Sequence, residues 1–510
     1  MKKKDSNEIN FLSLLDKPVQ LDKAIEMVGI GRFHHCLLSI CGSLYLANAI
    51  SVTSLSLVLP LAQCDFHMTS AHKGVLNGAL MTGMVVGSFI WGYVADTKGR
   101  RYTLVVSILM DGICNLFSSV SQVYPIFLMC RLLSGFGLSS IPIMYLYLVE
   151  FLDAKYRERY LAWMGIFWSI GLIILPCMAW IIMLYPFRIE NEYFLFKTWN
   201  MLVIICSLPS MLLAFLLTRM PESPKFLLAK GKHDEAIDCL RTMYRWNNKS
   251  DDKFPVTCLL QTMPNHVIDK AKSNFFHGLY KSTVELFTSK YKVIAWVVSV
   301  ILFCSSTSYY MLIMWFPELM NRFQWYETLN KDIQIKKTMC EIVSIVEPNT
   351  RIVEKCTDHI DQSVFINIII IGIVCVLPNI IVPLLANKFG IRFFTVVSFV
   401  GSAVSAAWLY FITSSTENLI LSCIFEALSG AGIGLVYCIA VDLFPIEYNG
   451  MATSIGTMFG KLGALIGNIL TGIFIDVNCI VPITFSCLFL IISALLILIL
   501  PKPGRTNFTI

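Results

Sequence analysis

Charge is scarce in this chain: Asp, Glu, Lys and Arg make up 15% of its 510 residues, where a soluble domain carries about 25%. That shortage excludes the roughly two to four soluble domains that such a length would otherwise suggest. No Gly-rich phosphate loop and no nucleophile triad stands in the sequence, so ATP-driven pumping and hydrolysis have no visible machinery, and the chain reads as a non-enzyme. None of the eight histidines (His34, His35, His67, His72, His233, His266, His277, His359) falls in the middle of an apolar run, which argues against a histidine proton relay. After Met1-Lys2-Lys3-Lys4 comes a polar stretch with Asp5, Asn7, Glu8 and Asp16, so no cleavable signal peptide is expected and the first apolar run serves as the insertion signal. The 17 cysteines form no zinc-ligand spacing, and most, Cys36, Cys41, Cys114, Cys206 and Cys375 among them, sit in apolar runs as small hydrophobes. No metal or cofactor is expected.

What the chain has instead is apolar sequence. Hydrophobic residues make up 56%, and the mean hydropathy is +0.67. They fall in runs of about 20 residues, enough to cross roughly 30 Å of hydrocarbon at about 1.5 Å per residue. Runs near 36–60, 74–95, 103–120, 124–148, 160–184 and 198–218 predict six spans, and runs near 293–316, 364–386, 392–412, 417–440, 451–475 and 480–500 predict six more. This all-α membrane protein then divides into an N-terminal segment 1–35, a six-helix half 36–218 and a linker 219–292 with amphipathic helices. A second half 293–500 follows, with an exoplasmic loop at about 317–363, and then a tail 501–510.

With the N-terminus placed in the cytoplasm, cytoplasmic segments hold 29 of the 40 Lys and Arg residues, nine lie in opposite segments, and Arg131 and Lys461 remain within spans. Both termini are therefore expected in the cytoplasm. The net charge of +6 is a topology signal that calls for a lipid bilayer and no nucleic acid. The linker opens with Arg219-Met-Pro-Glu-Ser-Pro224: Pro221 ends span six, Ser223 is an N-cap and Pro224 suits a first helical turn. Lys225 to Tyr244 reads as an amphipathic helix pair turning Phe226, Leu227, Ile237 and Leu240 to the membrane domain.

The two halves repeat each other. Gly92-Tyr-Val-Ala-Asp96-Thr-Lys-Gly99-Arg100-Arg101 between spans two and three corresponds to Asn387-Lys-Phe-Gly390-Ile-Arg392 between spans eight and nine. Gly92 permits close approach, Asp96 can pair within its half, Gly99 permits a sharp turn, and Arg100 and Arg101 are expected to stay in water. Arg131-Leu-Leu-Ser-Gly135-Phe-Gly137 in span four matches Glu426-Ala-Leu-Ser-Gly430-Ala-Gly432 in span ten, with the charge reversed. Glu150 with Arg157, and Asp442 with Asn449, follow at equal spacing.

These signatures resemble the major facilitator superfamily, its sugar-porter and organic-ion branches in particular. Pro221-Glu-Ser-Pro-Lys-Phe-Leu-Leu-Ala-Lys-Gly-Lys-His-Asp-Glu-Ala236, Val58-Leu-Pro60, Phe167-Trp168, Ser308-Tyr-Tyr310, Met314-Trp-Phe-Pro317 and Lys461-Leu-Gly463 are similar to the synaptic vesicle glycoprotein 2 family. The resemblance implies the major facilitator fold with twelve helices in two six-helix halves, a vesicle or plasma membrane setting, and vesicle or trafficking proteins as partners. There are departures. The acidic pair that family carries in span one reads Asn48 and Ser51 here; a large aromatic in span ten is Ile433, and a nearby acid is Tyr437. The family's long glycosylated lumenal domain shrinks to about 45 residues without a sequon, and the sequons at Asn248 and Asn507 fall on the cytoplasmic side.

A charge near the bilayer centre costs roughly 2.5–3.5 kcal/mol on insertion scales, so each needs a partner or an aqueous cavity. Two pairs are expected: Asp111 with Arg131, orienting a hairpin or serving as a proton switch, and Glu426 with Lys461. The alternative to the second pair is that each residue meets carbonyls or cavity water separately. Lys461 lies on Gly456-x-x-x-Gly460-Lys-Leu-Gly463, a face suited to close helix packing. Trp315 is assigned to packing or the interfacial belt because Pro317 puts it near the outer surface. Trp168, Tyr309 and Tyr310 either pack or, as the resemblance implies, line the central cavity with Asn48 and Tyr437, walls that suit a planar or cationic solute. Cys340 and Cys356 share the exoplasmic loop, where an oxidising lumen favours a disulfide contributing about 3 kcal/mol of local ordering. Two functions remain: a secondary transporter moving a small organic solute by alternating access, with Asp96 and Glu150–Arg157 at a cytoplasmic gate, or a membrane scaffold or receptor that keeps the transporter fold.

Overall fold

The computed structural model describes residues 19–185, 187–191, 194–248, 254–260, 275–288, 290–329, 340–341, 361–444 and 446–501. Among them, twelve helices are long and apolar enough to cross a membrane. The first six are Arg32–Ala62, Ser70–Lys98, Arg100–Ser119, Tyr124–Leu138 continued by Ile141–Val149, Ala154–Met183 and Thr198–Leu217. The second six are Lys292–Ile313, Gln362–Phe389, Ile391–Trp408, Ser415–Leu443, Ile446–Phe474 and Ile480–Ile499. Most expected spans lie within a few residues of these, because uninterrupted apolar length is the strongest signal a membrane chain carries.

The departures have local causes. Span four breaks at Ser139 and Ser140, where Pro142, in the first turn of the continuing helix, has no N–H to offer the turn before it. Span seven does not end in a loop. After Ile313 a further helix, Phe316–Leu329, occupies the start of the expected exoplasmic loop, opened by Pro317 in its first turn, where the missing N–H is harmless. Two short antiparallel strands, Arg188–Asn191 and Phe194–Lys197, join spans five and six with Arg188 opposite Lys197.

Twelve crossings put the start of span one and the finish of span twelve at one end of the bundle, called the near end below; the other is the far end. At the near end spans two and three meet at Gly99 (φ 110°), and spans eight and nine at Gly390 (φ 82°). Both glycines hold a backbone conformation that side chains disfavour, so the internal repeat extends to its turns.

The glycine motifs do different work in the two halves. A Cβ on Gly83 would run into the Leu132 carbonyl, and one on Gly135 into the Leu80 carbonyl, so spans two and four touch backbone to backbone. In the second half, a Cβ on Gly430 would lie 3.5 Å from the Tyr309 ring and one on Gly432 2.6 Å from the Phe399 ring. Spans seven and eleven meet along Gly456, Gly460, Gly463 and Gly467, as the small-residue face of span eleven predicts. The halves themselves meet where Gly74 of span two approaches Gly472 of span eleven, and where Gly165 of span five approaches Asn379 of span eight.

The linker folds onto the near end. Ser223 caps Pro224–Ala229 by accepting the Phe226 N–H at 3.2 Å. Phe226, Leu227, Ile237 and Leu240 are all buried in one cluster with Phe33, Leu104 and Tyr147 from the ends of spans one, three and four. A helix Leu21–Val28 joins them, tied through Asn247, which donates to the Gly29 carbonyl at 2.7 Å and accepts the Phe33 N–H at 3.1 Å.

Candidate functional site

Near-end charges are arranged around Arg100. Its guanidinium contacts Asp96 at 3.2 Å and Glu150 at 3.3 Å and lies 5.1 Å from the Phe226 ring centroid. Arg100 is therefore largely covered, 13% exposed at its side chain, where water was expected, a correction that follows from the docked linker over it. Arg157 does not pair with Glu150: it reaches Asp22 on the N-terminal helix at 3.5 Å and donates to the Leu152 carbonyl at 3.0 Å. Burial holds the Glu150 carboxyl above the ordinary carboxylate range, and Arg100 draws it back part of the way. Asp96 pairs with Arg100 one turn along its own strand of sequence and stays 62% exposed at its side chain. Gly92 faces Ser454 of span eleven, so it lies where the halves meet.

Glu222, overlooked in the sequence, organises this end. Its carboxylate accepts the Arg100 and Arg101 N–H groups, each at 3.0 Å, closing the first turn of span three with the charge a helix N-terminus favours. Arg101 in turn donates to the Met220 carbonyl at 2.8 Å. In the second half, Gly390 makes the matching turn, and among the described residues Arg392 Nε and Nη2 meet no hydrogen-bond partner. The side chains of Asn387 and Asp442 lie outside what the structure describes.

Inside the first half, Asp111 accepts from Ser51 (3.0 Å), Asn115 (2.7 Å), Ser134 (2.7 Å) and Ser210 (2.8 Å), which come from spans one, three, four and six. Arg131 does not form the expected ion pair with it. Asn115 stands between them, giving its amide N–H to Asp111 and taking Arg131 Nη1 at 2.9 Å. The guanidinium is fully buried, 5.2 Å from the Phe127 ring centroid. Asn48 faces the same interior: its amide donates at 3.0 Å to the Leu138 carbonyl, which the break in span four leaves free.

The halves meet in an aromatic cluster, called the chamber below. Trp168 of span five donates to the Tyr309 hydroxyl of span seven at 3.3 Å, and its ring lies 5.1 Å from Tyr45 of span one, itself 5.5 Å from Tyr145 of span four. Tyr309 and Tyr310 meet edge to face at 5.2 Å. Tyr45, Tyr145, Trp168 and Tyr437 are half-buried although they sit in the interior of the bundle. Lys461 donates to the Tyr310 hydroxyl at 2.7 Å and sits 4.3 Å from that ring's centroid. The expected Glu426–Lys461 pair is absent; Glu426 lies within electrostatic reach of Tyr309, Tyr310, Cys375 and Cys423, and among the described residues neither carboxylate oxygen is hydrogen-bonded. Trp315 is fully buried in the core and not at an interfacial belt.

At the far end a four-charge network joins the halves. Lys73 of span two contacts Glu318 at 2.9 Å; Arg322 contacts Glu318 at 3.0 Å and Asp476 at 2.8 Å, and donates to Ser70 at 3.1 Å. Nearby, Cys340 is disulfide-bonded to Cys479, between spans eleven and twelve. This corrects the expected Cys340–Cys356 bridge; Cys356 itself lies outside the described residues. Proximity in sequence is a poor guide once the last turn of the bundle approaches the same loop.

The profile of the Major Facilitator Superfamily matches residues 41–334 and 361–509. The chain belongs to that superfamily. Synaptic vesicle glycoprotein 2B of Mus musculus is 28% identical over 590 residues, covering 95% of this chain and 85% of the relative. Synaptic vesicle glycoprotein 2A of Rattus norvegicus is 32% identical over 327 residues, 60% of this chain. The chain spans 44% of that relative's length. Among solved structures, a partially occluded inward-open form of the xylose transporter XylE from E. coli aligns over 92% of this chain and 100% of that one, with a TM-score of 0.64 at 15% identity. The chain is thus a multi-pass membrane protein with the major facilitator fold, resembling the synaptic vesicle glycoprotein 2 family.

Several residues of this superfamily member escaped the sequence reading. Tyr45 and Tyr145 carry no sequence signal beyond being aromatic in a span. Glu318 and Arg322 do: opposite charges at four-residue spacing just after Pro317 mark a helix face bearing an ion pair.

Proposed function

We propose that this chain is a secondary transporter that moves a small organic solute by rocking its two halves about the aromatic chamber. The observation that carries the reading is the chamber itself, built by Tyr45, Tyr145 and Trp168 from one half and Tyr309, Tyr310 and Tyr437 from the other. A solute held between two rigid halves is exposed to alternate sides as they tilt, which is what the fold's repeat makes mechanically simple. Both termini are cytoplasmic in this reading, by the distribution of basic residues. The near end is then the cytoplasmic gate, where Arg100 with Asp96 and Glu150 stiffens one side, and the far end is the exoplasmic gate, latched by Lys73, Glu318, Arg322 and Asp476. The setting is a vesicle or plasma membrane.

A second reading, a scaffold or receptor that retains the fold, has one observation in its favour. Asn48 and Ser51 are engaged inside the first half, so span one offers no acid to the chamber for proton coupling. Solute uptake into reconstituted vesicles, with and without a pH gradient, separates the two. Uptake by the wild-type chain removes the scaffold reading, and a gradient-independent rate removes proton coupling. Asp111→Asn, which loses a carboxylate oxygen accepting buried hydrogen bonds, serves as the control. No uptake across a broad solute panel sinks the transporter reading.

A further inference from the structure

We propose that Glu426 is the recognition group for a small organic cation, a protonated amine, bound in the aromatic chamber; this deepens the transporter reading and rests on it. Glu426 is 1% exposed, and among the described residues neither of its oxygens accepts a hydrogen bond. The other buried carboxylates of the described residues contrast with it: Asp111 accepts four bonds, and Glu150, with one oxygen unbonded, still has the Arg100 guanidinium at 3.3 Å; half-buried Glu318 is held by both Lys73 and Arg322. An ionised carboxylate left like this is costly, and what completes it is a positive charge that also brings N–H donors.

The walls fit the same ligand. Tyr309 and Tyr310 lie within electrostatic reach of the carboxylate, and Trp168 reaches Tyr309 from the opposite half; with Lys461 already on the Tyr310 ring, Tyr309 and Trp168 are the rings left to a cation. Lys461 does not compete for the acid, because its ammonium is held by the hydroxyl and ring of Tyr310. Access follows span ten. Glu426, Gly430, Gly434 and Tyr437 fall within an arc of about 80° on that helix. A side chain at Gly434 would meet open space, and Gly430 leaves the Tyr309 ring at ordinary contact distance, 3.5 Å. Between half-buried Tyr437 and the acid, this face of span ten thus carries no side chain at Gly430 or Gly434. A metal ion fits poorly, since one carboxylate among aromatic rings and thiols gives too few oxygen ligands.

The test uses the purified full chain in lipid nanodiscs. Phenethylammonium, its neutral analogue 2-phenylethanol and anionic phenylacetate are compared by thermal shift and by binding titration, alongside tetramethylammonium and benzylammonium with their own neutral analogues. The expected result is saturable binding of at least one cation, none of its neutral or anionic counterpart, and a loss of about a hundredfold in Glu426→Gln. A second measurement needs no variant: modification of Glu426 by dicyclohexylcarbodiimide, read by peptide mass, should be slowed by the binding cation and not by its neutral analogue. The proposal is overturned if no cation binds, if neutral analogues bind equally well, or if cations leave the modification rate unchanged. Glu426-dependent cation binding without uptake keeps this inference and removes the transporter reading. Uptake of uncharged solutes with Glu426→Gln unaffected does the reverse.

Discussion

Replacing Arg322 by Gln should open the far end. The guanidinium touches Glu318, Asp476 and Ser70, and both it and Lys73 are buried. Without it, Glu318 keeps Lys73 but Asp476 loses its only ion-pair partner among the described residues. Breaking a buried pair from one side costs about 3–5 kcal/mol, because the remaining charge stays desolvated. The partners here are nearly but not wholly buried, so the lower figure applies. When the halves part, Asp476 and Glu318 regain water and the penalty vanishes. The whole cost thus falls on the far-closed arrangement, and about 3 kcal/mol shifts the balance toward far-open by roughly a hundredfold. Asn77, one turn below Lys73 on span two and buried, is the reporter position. A cysteine placed there should react with a membrane-impermeant maleimide from the far side up to about a hundredfold faster in the Arg322→Gln chain; the same chain without the reporter supplies the background. Adding Asp476→Asn removes the uncompensated charge and should recover much of the closure. An unchanged labelling rate in a folded Arg322→Gln protein refutes the latch.

Gly135→Ala drives a methyl into the Leu80 carbonyl, and should cost about 3 kcal/mol or more and lower the melting temperature in detergent. Gly430→Ala, facing a ring at 3.5 Å, should be tolerated; equal loss from both would contradict the asymmetry between halves. A non-reducing peptide map should contain a Cys340–Cys479 linked pair, and Cys479→Ser should leave Cys340 free; a Cys340–Cys356 pair would restore the bridge expected from sequence. Glu222→Ala strips the acceptor from two N–H groups at the start of span three, and should cost about 1 kcal/mol and speed proteolysis of the linker, with unchanged cleavage counting against its capping role.

The spans were legible in the sequence because hydrocarbon thickness imposes a length that little else in a chain produces. The internal repeat was legible too, since glycines at equal spacing with opposite charges recur in order. Partners were not. Glu150 and Arg157 sit on different helices, so their seven-residue spacing fixes no geometry, and the linker that covers Arg100 beside Glu150 is far away in sequence. Asp111 and Arg131 do lie in one network, but nothing in the pattern announces that Asn115, one turn from Asp111, stands between them. Hydropathy places a charge in a span; only packing between helices decides what it meets.

The same glycine motif is set against peptide backbone in the first half and against aromatic rings in the second. Carbonyl groups locked in a helix cannot yield, whereas rings can turn. Substitution at Gly430 thus meets a neighbour that can yield, while substitution at Gly83 or Gly135 meets one that cannot. Changes at the span-ten motif are thereby the easier route to a reshaped chamber wall, and changes at Gly135 the harder.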